Sequence, residues 1–125
     1  MNQKRFRSSF QETVHSIKDY IDQHPLEIKT IETLIHKTHS QIGINLLHQG
    51  FRQLYGSRIK EYELRKRLEA AAGLLQNDEF TMQEITAKCG YSSQSSFVRA
   101  FKEIHGITPG QWRNRYVELL YQEPY

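Results

Sequence analysis

What this chain lacks narrows its possibilities first. Cys89 is the only cysteine among 125 residues, so no internal disulfide and no thiolate metal cluster can form. A reducing, cytoplasmic setting is the expectation. No apolar run approaches the ~20 residues needed to cross a bilayer, so no membrane partner is expected. The opening MNQKRFRSSF is basic but has no apolar stretch behind it, unlike a secretory signal, and is expected to be a frayed arm. No alternating polar–apolar pattern of useful length occurs, which excludes a β-rich fold. No Ser/His/Asp set, glycine-rich phosphate loop or carboxylate pair has a recognisable spacing, so neither an enzyme nor a cofactor is expected. His36, His39 and His48 raise a metal site, but no cysteine or carboxylate sits at a suitable spacing, and surface or turn histidines are the expectation.

What is present is helical. The apolar share of 38% supports a modest core, and the charged share of 25% is ordinary for a soluble protein. Seventeen Lys plus Arg against fourteen Asp plus Glu give a net charge of +3. That excess is compatible with an acidic partner without requiring one. Its distribution is more telling. Arg52, Arg58, Lys60, Arg65, Lys66 and Arg67 crowd one stretch, opposed there only by Glu61 and Glu63.

Phe10, Val14, Ile17 and Ile21 repeat at helical spacing and line one face of a first helix, which ends at His24-Pro25. Ile28, Ile31, Leu34 and Ile35 mark a short second helix, either capped by Thr30 or beginning a little earlier. A turn over Thr38–Gly43 follows, then a third helix carrying Leu47, Phe51 and Leu54 and closed by Gly56. The longest helix runs from Ser57 to about Gln76, with Leu64, Leu68, Ala71 or Ala72, and Leu75 as its expected buried stripe. Thr81-Met82-Gln83-Glu84 has the pattern of a capping box and starts a helix with Met82, Ile85 and Cys89 inside. Ser92 or Ser93 caps the next helix, which stops at Gly106. Thr108-Pro109 opens the last one, with Trp112, Tyr116, and Val117 or Leu120 facing inward.

Two segments, Thr30–Gly56 and Thr81–Gly106, share one plan of short helix, turn, second helix with apolar residues four apart, and glycine. A short helix braced across a second is the helix-turn-helix arrangement, whose second helix offers its free face to a major groove of DNA. In the second segment Phe97, Ala100, Phe101 and Ile104 are the anchors. Ser93, Gln94, Ser95 and Arg99 are left outside, as candidate base contacts. Gln pairs with adenine and Arg with guanine in that groove, while Ser is permissive.

The run MQEITAKCGYSSQSSFVRAFKEIHGITPGQWR, Met82 to Arg113, resembles the second helix-turn-helix of the AraC/XylS transcription regulators. The matching positions are Ile85, Thr86, Gly90-Tyr91, Phe97, Arg99, Phe101-Lys102, Gly106, Pro109 and Trp112-Arg113. Arg67-Leu68, Ala71 and Leu74-Leu75 follow the family's linker helix, and the likeness covers about Ile28 to Tyr116. In the first segment the pattern departs: the turn THSQIG is about two residues longer, Ile35 stands for a small residue, Gln49 for an arginine, and Gly50 lies mid-helix. The resemblance implies Asn45, His48 and Gln49 as outward, base-facing residues there.

The resulting expectation is an all-α protein of about seven helices, with two helix-turn-helix subdomains joined by a long linker helix. Its boundaries are a basic arm (1–9), a first subdomain (10–56), the linker (57–76), a second subdomain (77–120) and a tail (121–125). About 19 linker residues at ~1.5 Å each span roughly 28 Å, commensurate with the ~34 Å of one DNA turn. Phosphate contacts are expected from Lys102, Arg52, Thr30 and Thr81. The resemblance implies a bacterial regulator, an activator more often than a repressor, with double-stranded DNA and RNA polymerase as partners. It is a monomer if it stands alone, or part of a dimer if it belongs to a longer chain. The rival reading is a helical protein-interaction module that keeps the scaffold without specific DNA binding.

Overall fold

The computed structural model describes residues 3–27, 30–38 and 42–121, with side chains from residue 9 onward. Among these residues there are seven helices and no strand: α1 (Gln3–Gln23), α2 (Ile31–Lys37), α3 (Ile44–Tyr55), α4 (Ile59–Leu75), α5 (Met82–Lys88), α6 (Gln94–His105) and α7 (Pro109–Leu120). Ile28, the turn residues 39–41 and the tail 122–125 lie outside the described residues. The helix begins at Gln3, so most of the segment expected to fray as a basic arm is continuous with α1. No proline or glycine precedes Pro25 to interrupt it.

The helix ends are set locally. Thr81 Oγ1 accepts from Glu84 N at 3.1 Å, and the Glu84 carboxylate accepts from Thr81 N at 3.4 Å. Thr108 and Gln111 exchange the same pair of bonds at 3.1 and 3.0 Å, with Pro109 in the first turn. Each pair satisfies two amides that the helix itself leaves open. At the other end, Gly56 and Gly106 close α3 and α6 in the left-handed region (φ 78° and 82°), which only glycine enters without strain.

The fold divides into two compact units, residues 1–66 and 67–125, and the division falls inside α4. In the first unit Val14, Ile17 and Ile21 of α1 pack with Leu34, Leu47, Phe51, Ile59 and Tyr62. In the second, Leu68, Ala71, Leu75, Ile85, Cys89, Phe97 and Phe101 are buried. The single stripe expected along α4 is therefore corrected. Ile59 and Tyr62 serve the first core, Leu68, Ala71 and Leu75 serve the second, and Leu64 is exposed. Leu54 and Ile104 also differ from expectation and are exposed. Both lie in the last turn before an αL glycine, where the helix stops short of a further buried turn. Leu120 is exposed, while Trp112, Tyr116 and Val117 are half-buried.

Gly50 has a packing reason to sit mid-helix. A Cβ there would lie 2.7 Å from Phe10 Cε1 and 3.1 Å from Val14 Cγ2, so its absence lets α1 approach α3. The same unit contains a polar web. Asp22 accepts from Lys18 Nζ at 2.7 Å and from the Tyr62 hydroxyl, and Lys66 Nζ lies 3.9 Å away. Burial opposes ionisation of Asp22, but the Lys18 and Tyr62 hydrogen bonds outweigh it and hold the carboxyl below its usual range. Burial, then the bond to Asp22, pushes the Tyr62 hydroxyl up to about 12.

Gly50→Leu should destabilise the first unit by ~1–3 kcal/mol through overpacking. Gly73→Ala, at an exposed helical site where no described residue beyond the local helix lies within 4 Å of the added Cβ, should stabilise by roughly 0.5–1 kcal/mol; urea unfolding of both variants checks the contrast. Because Asp22 titrates lower in the folded state, the stability it contributes is present above its unfolded value of about 3.9 and is lost as pH falls through the folded one. Tyr62→Phe removes one donor and raises that folded value. It should cost about 1–2 kcal/mol at neutral pH and move the acid-unfolding midpoint upward in a circular-dichroism titration.

Candidate nucleic-acid interface

Helices α3 and α6 are built to one template. Each has 12 residues, each ends at an αL glycine, and each buries an apolar pair four apart: Leu47/Phe51 and Phe97/Phe101, all at 0% exposure. A position in α3 therefore matches the α6 position fifty residues on. The connection from α2 to α3 takes residues 38–43 and that from α5 to α6 takes 89–93, one residue fewer. The irregular first turn thus leaves the shared template of the two helices intact.

Burial of one face decides what the other presents. On α6, Gln94, Ser95, Arg99 and Lys102 are exposed. Ser93, just before the helix, is also exposed, but its hydroxyl is engaged: it accepts from Ser96 N at 3.2 Å and lies 2.8 Å from Ser96 Oγ. On α3, Asn45, Gln49 and Arg52 are exposed and His48 is half-buried. Gln49 occupies the register of Arg99, and Arg52 that of Lys102. The two cations thus lie at matching places on the outer faces. Thr30 and Thr81 are exposed and cap α2 and α5, and a hydroxyl that accepts from a helix amide still carries an O–H to donate.

Arg58 was not among the site residues inferred from sequence. It lines a cleft of about 330 Å³ together with His48, Gln49 and Arg52. The signal available was the basic crowding between Phe51 and Arg67, but periodicity alone does not say which of those cations turns toward α3. Cys89 is fully buried, and burial pushes its thiol up to about 11, which suits a small core residue and not a nucleophile. Among the described residues, no group of His, Cys, Asp or Glu is placed to hold a metal ion, and no helix is long and apolar enough to cross a membrane.

Comparison with known proteins gives a consistent result. A helix-turn-helix domain family matches residues 37–115. The F1 operon positive regulatory protein of Yersinia pestis is 39% identical over 103 residues, covering 82% of this chain and 34% of that protein. The chain spans about a third of the length of the curated relatives it matches. In fold it is similar to an AraC-type DNA-binding-domain regulator from Chromobacterium violaceum (TM-score 0.76, 22% identity, 89% of this chain and 97% of that one). It is also similar to the DNA-binding domain of AdpA, whose structure contains a target DNA (TM-score 0.74, 22% identity, 88% and 97%).

Arg113, one of the positions of the family resemblance, turns inward. Its Nε donates to Leu75 O at 2.9 Å, and its Nη2 donates to Phe80 O at 2.9 Å and Asn77 O at 3.3 Å. The guanidinium thereby ties α7 to the C-terminal end of α4 and the turn after it, satisfying carbonyls that the helix end leaves open. Arg113→Ala should lower the stability of the second unit by roughly 1.5–3 kcal/mol, with Arg113→Lys recovering only part because an ammonium lacks the fork. Thermal unfolding of the two variants beside the parent is the measurement.

Proposed function

Because this chain belongs to a helix-turn-helix domain family and has the fold of AraC-type DNA-binding domains, we propose that it binds double-stranded DNA sequence-specifically and acts as a bacterial transcription activator. One observation carries this reading: α3 and α6 bury their apolar pairs completely and turn a polar front outward at the same register. A helix held in this way presents hydrogen-bonding side chains to base edges while its partner helix braces it.

In each unit the roles divide by chemistry. Gln94, Ser95 and Arg99 on α6, with Ser93 at its start, meet base edges, Arg99 being suited to guanine and Gln94 to adenine. Asn45, His48 and Gln49 do the same on α3. Lys102, Arg52, Arg58, Thr30 and Thr81 contact phosphate, which sets register and affinity but carries no sequence information. The operon regulator from Yersinia is named a positive regulator, which supports activation, and RNA polymerase is the partner such a role implies. The site of action is the bacterial cytoplasm, where that DNA lies.

Selection of bound duplexes from a random library, followed by fluorescence anisotropy over a salt series, tests the proposal. A defined motif should emerge, and affinity should fall steeply with salt as counterions are displaced. A failure to enrich any sequence would leave only a protein-interaction role for the scaffold. Arg99→Ala should weaken the selected site by about 1–3 kcal/mol while barely changing random DNA. Arg58→Ala should weaken both alike and reduce the salt slope by about one.

A further inference from the structure

The two reading helices differ sharply at their front ends. Where α6 begins with Gln94, Ser95 and Ser96, α3 begins with Ile44, Asn45 and Leu46. Ile44 keeps 42% and Leu46 48% of its surface, so neither belongs to the core that Leu47, Gly50 and Phe51 enter. Gly43 occupies the cap, and among the described residues no atom lies within 4 Å of a Cβ built there. One turn further along α3, His48, Gln49 and Arg52 line a cleft with Arg58, a cationic patch with the sign needed to hold a phosphate backbone.

We propose that Ile44 and Leu46 are specificity-determining residues, making the first unit a reader of thymine 5-methyl groups in the major groove, while the second unit reads by hydrogen bonds. The proposal rests on the DNA-binding reading above. The physical reason is that the methyl of thymine is the one apolar group that a base pair displays in that groove. Two exposed aliphatic side chains at the leading edge of a reading helix gain there by excluding water, and gain nothing from cytosine or guanine edges. Asn45 lies between them in sequence and is the residue type that pairs with adenine N6 and N7, while Ile44 and Leu46 flank it on either side of the helix, each able to meet a separate thymine methyl. At the equivalent start of α6, Gln94 and Ser95 offer no aliphatic group, and Arg99 replaces Gln49.

The test uses the full chain and a duplex taken from the library selection, with thymines replaced one at a time by deoxyuridine. That change removes the methyl and keeps every hydrogen-bonding group. At one or more positions the parent should lose about fourfold in affinity, the worth of one methyl removed from water. In Ile44→Ser or Leu46→Ser that penalty should vanish, while Gly90 and the second unit stay unaltered in sequence. Melting temperatures should fall only by roughly a few degrees, because each side chain keeps nearly half its surface in water. Binding that ignores deoxyuridine at every position, or a penalty that persists in both serine variants, overturns the inference and leaves DNA binding standing. A serine variant melting far below the parent overturns it as well, by placing the side chain in the core. Failure of any duplex to bind defeats the DNA-binding reading itself.

Discussion

The structure turns on the burial of two apolar pairs, Leu47/Phe51 and Phe97/Phe101. Each pair sits one helical turn apart and loses all contact with water. Removing a phenylalanine side chain from water is worth about 1.5–3 kcal/mol, more than any single hydrogen bond on the outer face contributes. That preference fixes the rotation of α3 and α6 about their own axes. Once the rotation is set, Asn45, Gln49, Arg99 and Lys102 have nowhere to point but outward. The outward polar surface of the two helices is thus a by-product of core packing.

Around those anchors the chain uses short-range devices to stop and start helices where the anchors need them. Thr81, Ser93 and Thr108 each place an oxygen on the amide three residues ahead, and Gly56, Gly90 and Gly106 turn the chain through the left-handed region. These devices act within four or five residues, so they are insensitive to the rest of the fold. Longer-range polar contacts have another task. Asp22 gathers Lys18, Tyr62 and Lys66, joining α1 to α4, while Arg113 joins α7 to the end of the same helix. Helix α4 is held by polar ties from both cores. This lets it carry a heavily charged exposed face without a continuous apolar stripe.

One template used twice need not mean one function repeated. The backbone of α3 matches that of α6 in length and ending, yet its leading edge is aliphatic where the other is polar. Divergence at the front is inexpensive because those positions contribute little to stability, whereas change at Phe51 or Phe101 would be felt through the whole unit. The departures of the first segment from the family pattern have the same logic. Gly50 sits at the close approach of Phe10 and Val14, a local adjustment to the packing of α1 that leaves the outer face untouched.

The helices, their caps and the identity of the two buried pairs were legible in the amino-acid order, because capping boxes, αL glycines and three-to-four spacing are signals carried by neighbours along the chain. The exposed set on α6, Gln94, Ser95 and Arg99, followed from the same periodicity. Tertiary structure alone decided the rest. It assigned Ile59 and Tyr62 to one core and Leu68, Ala71 and Leu75 to another, leaving Leu64 wet. It also brought Arg58 beside Arg52, and turned Arg113 onto the carbonyls of Leu75 and Phe80. Each of these depends on which distant residue arrives as the partner. A helical repeat says which side of a helix is apolar, but the surface that covers it is supplied by another part of the chain.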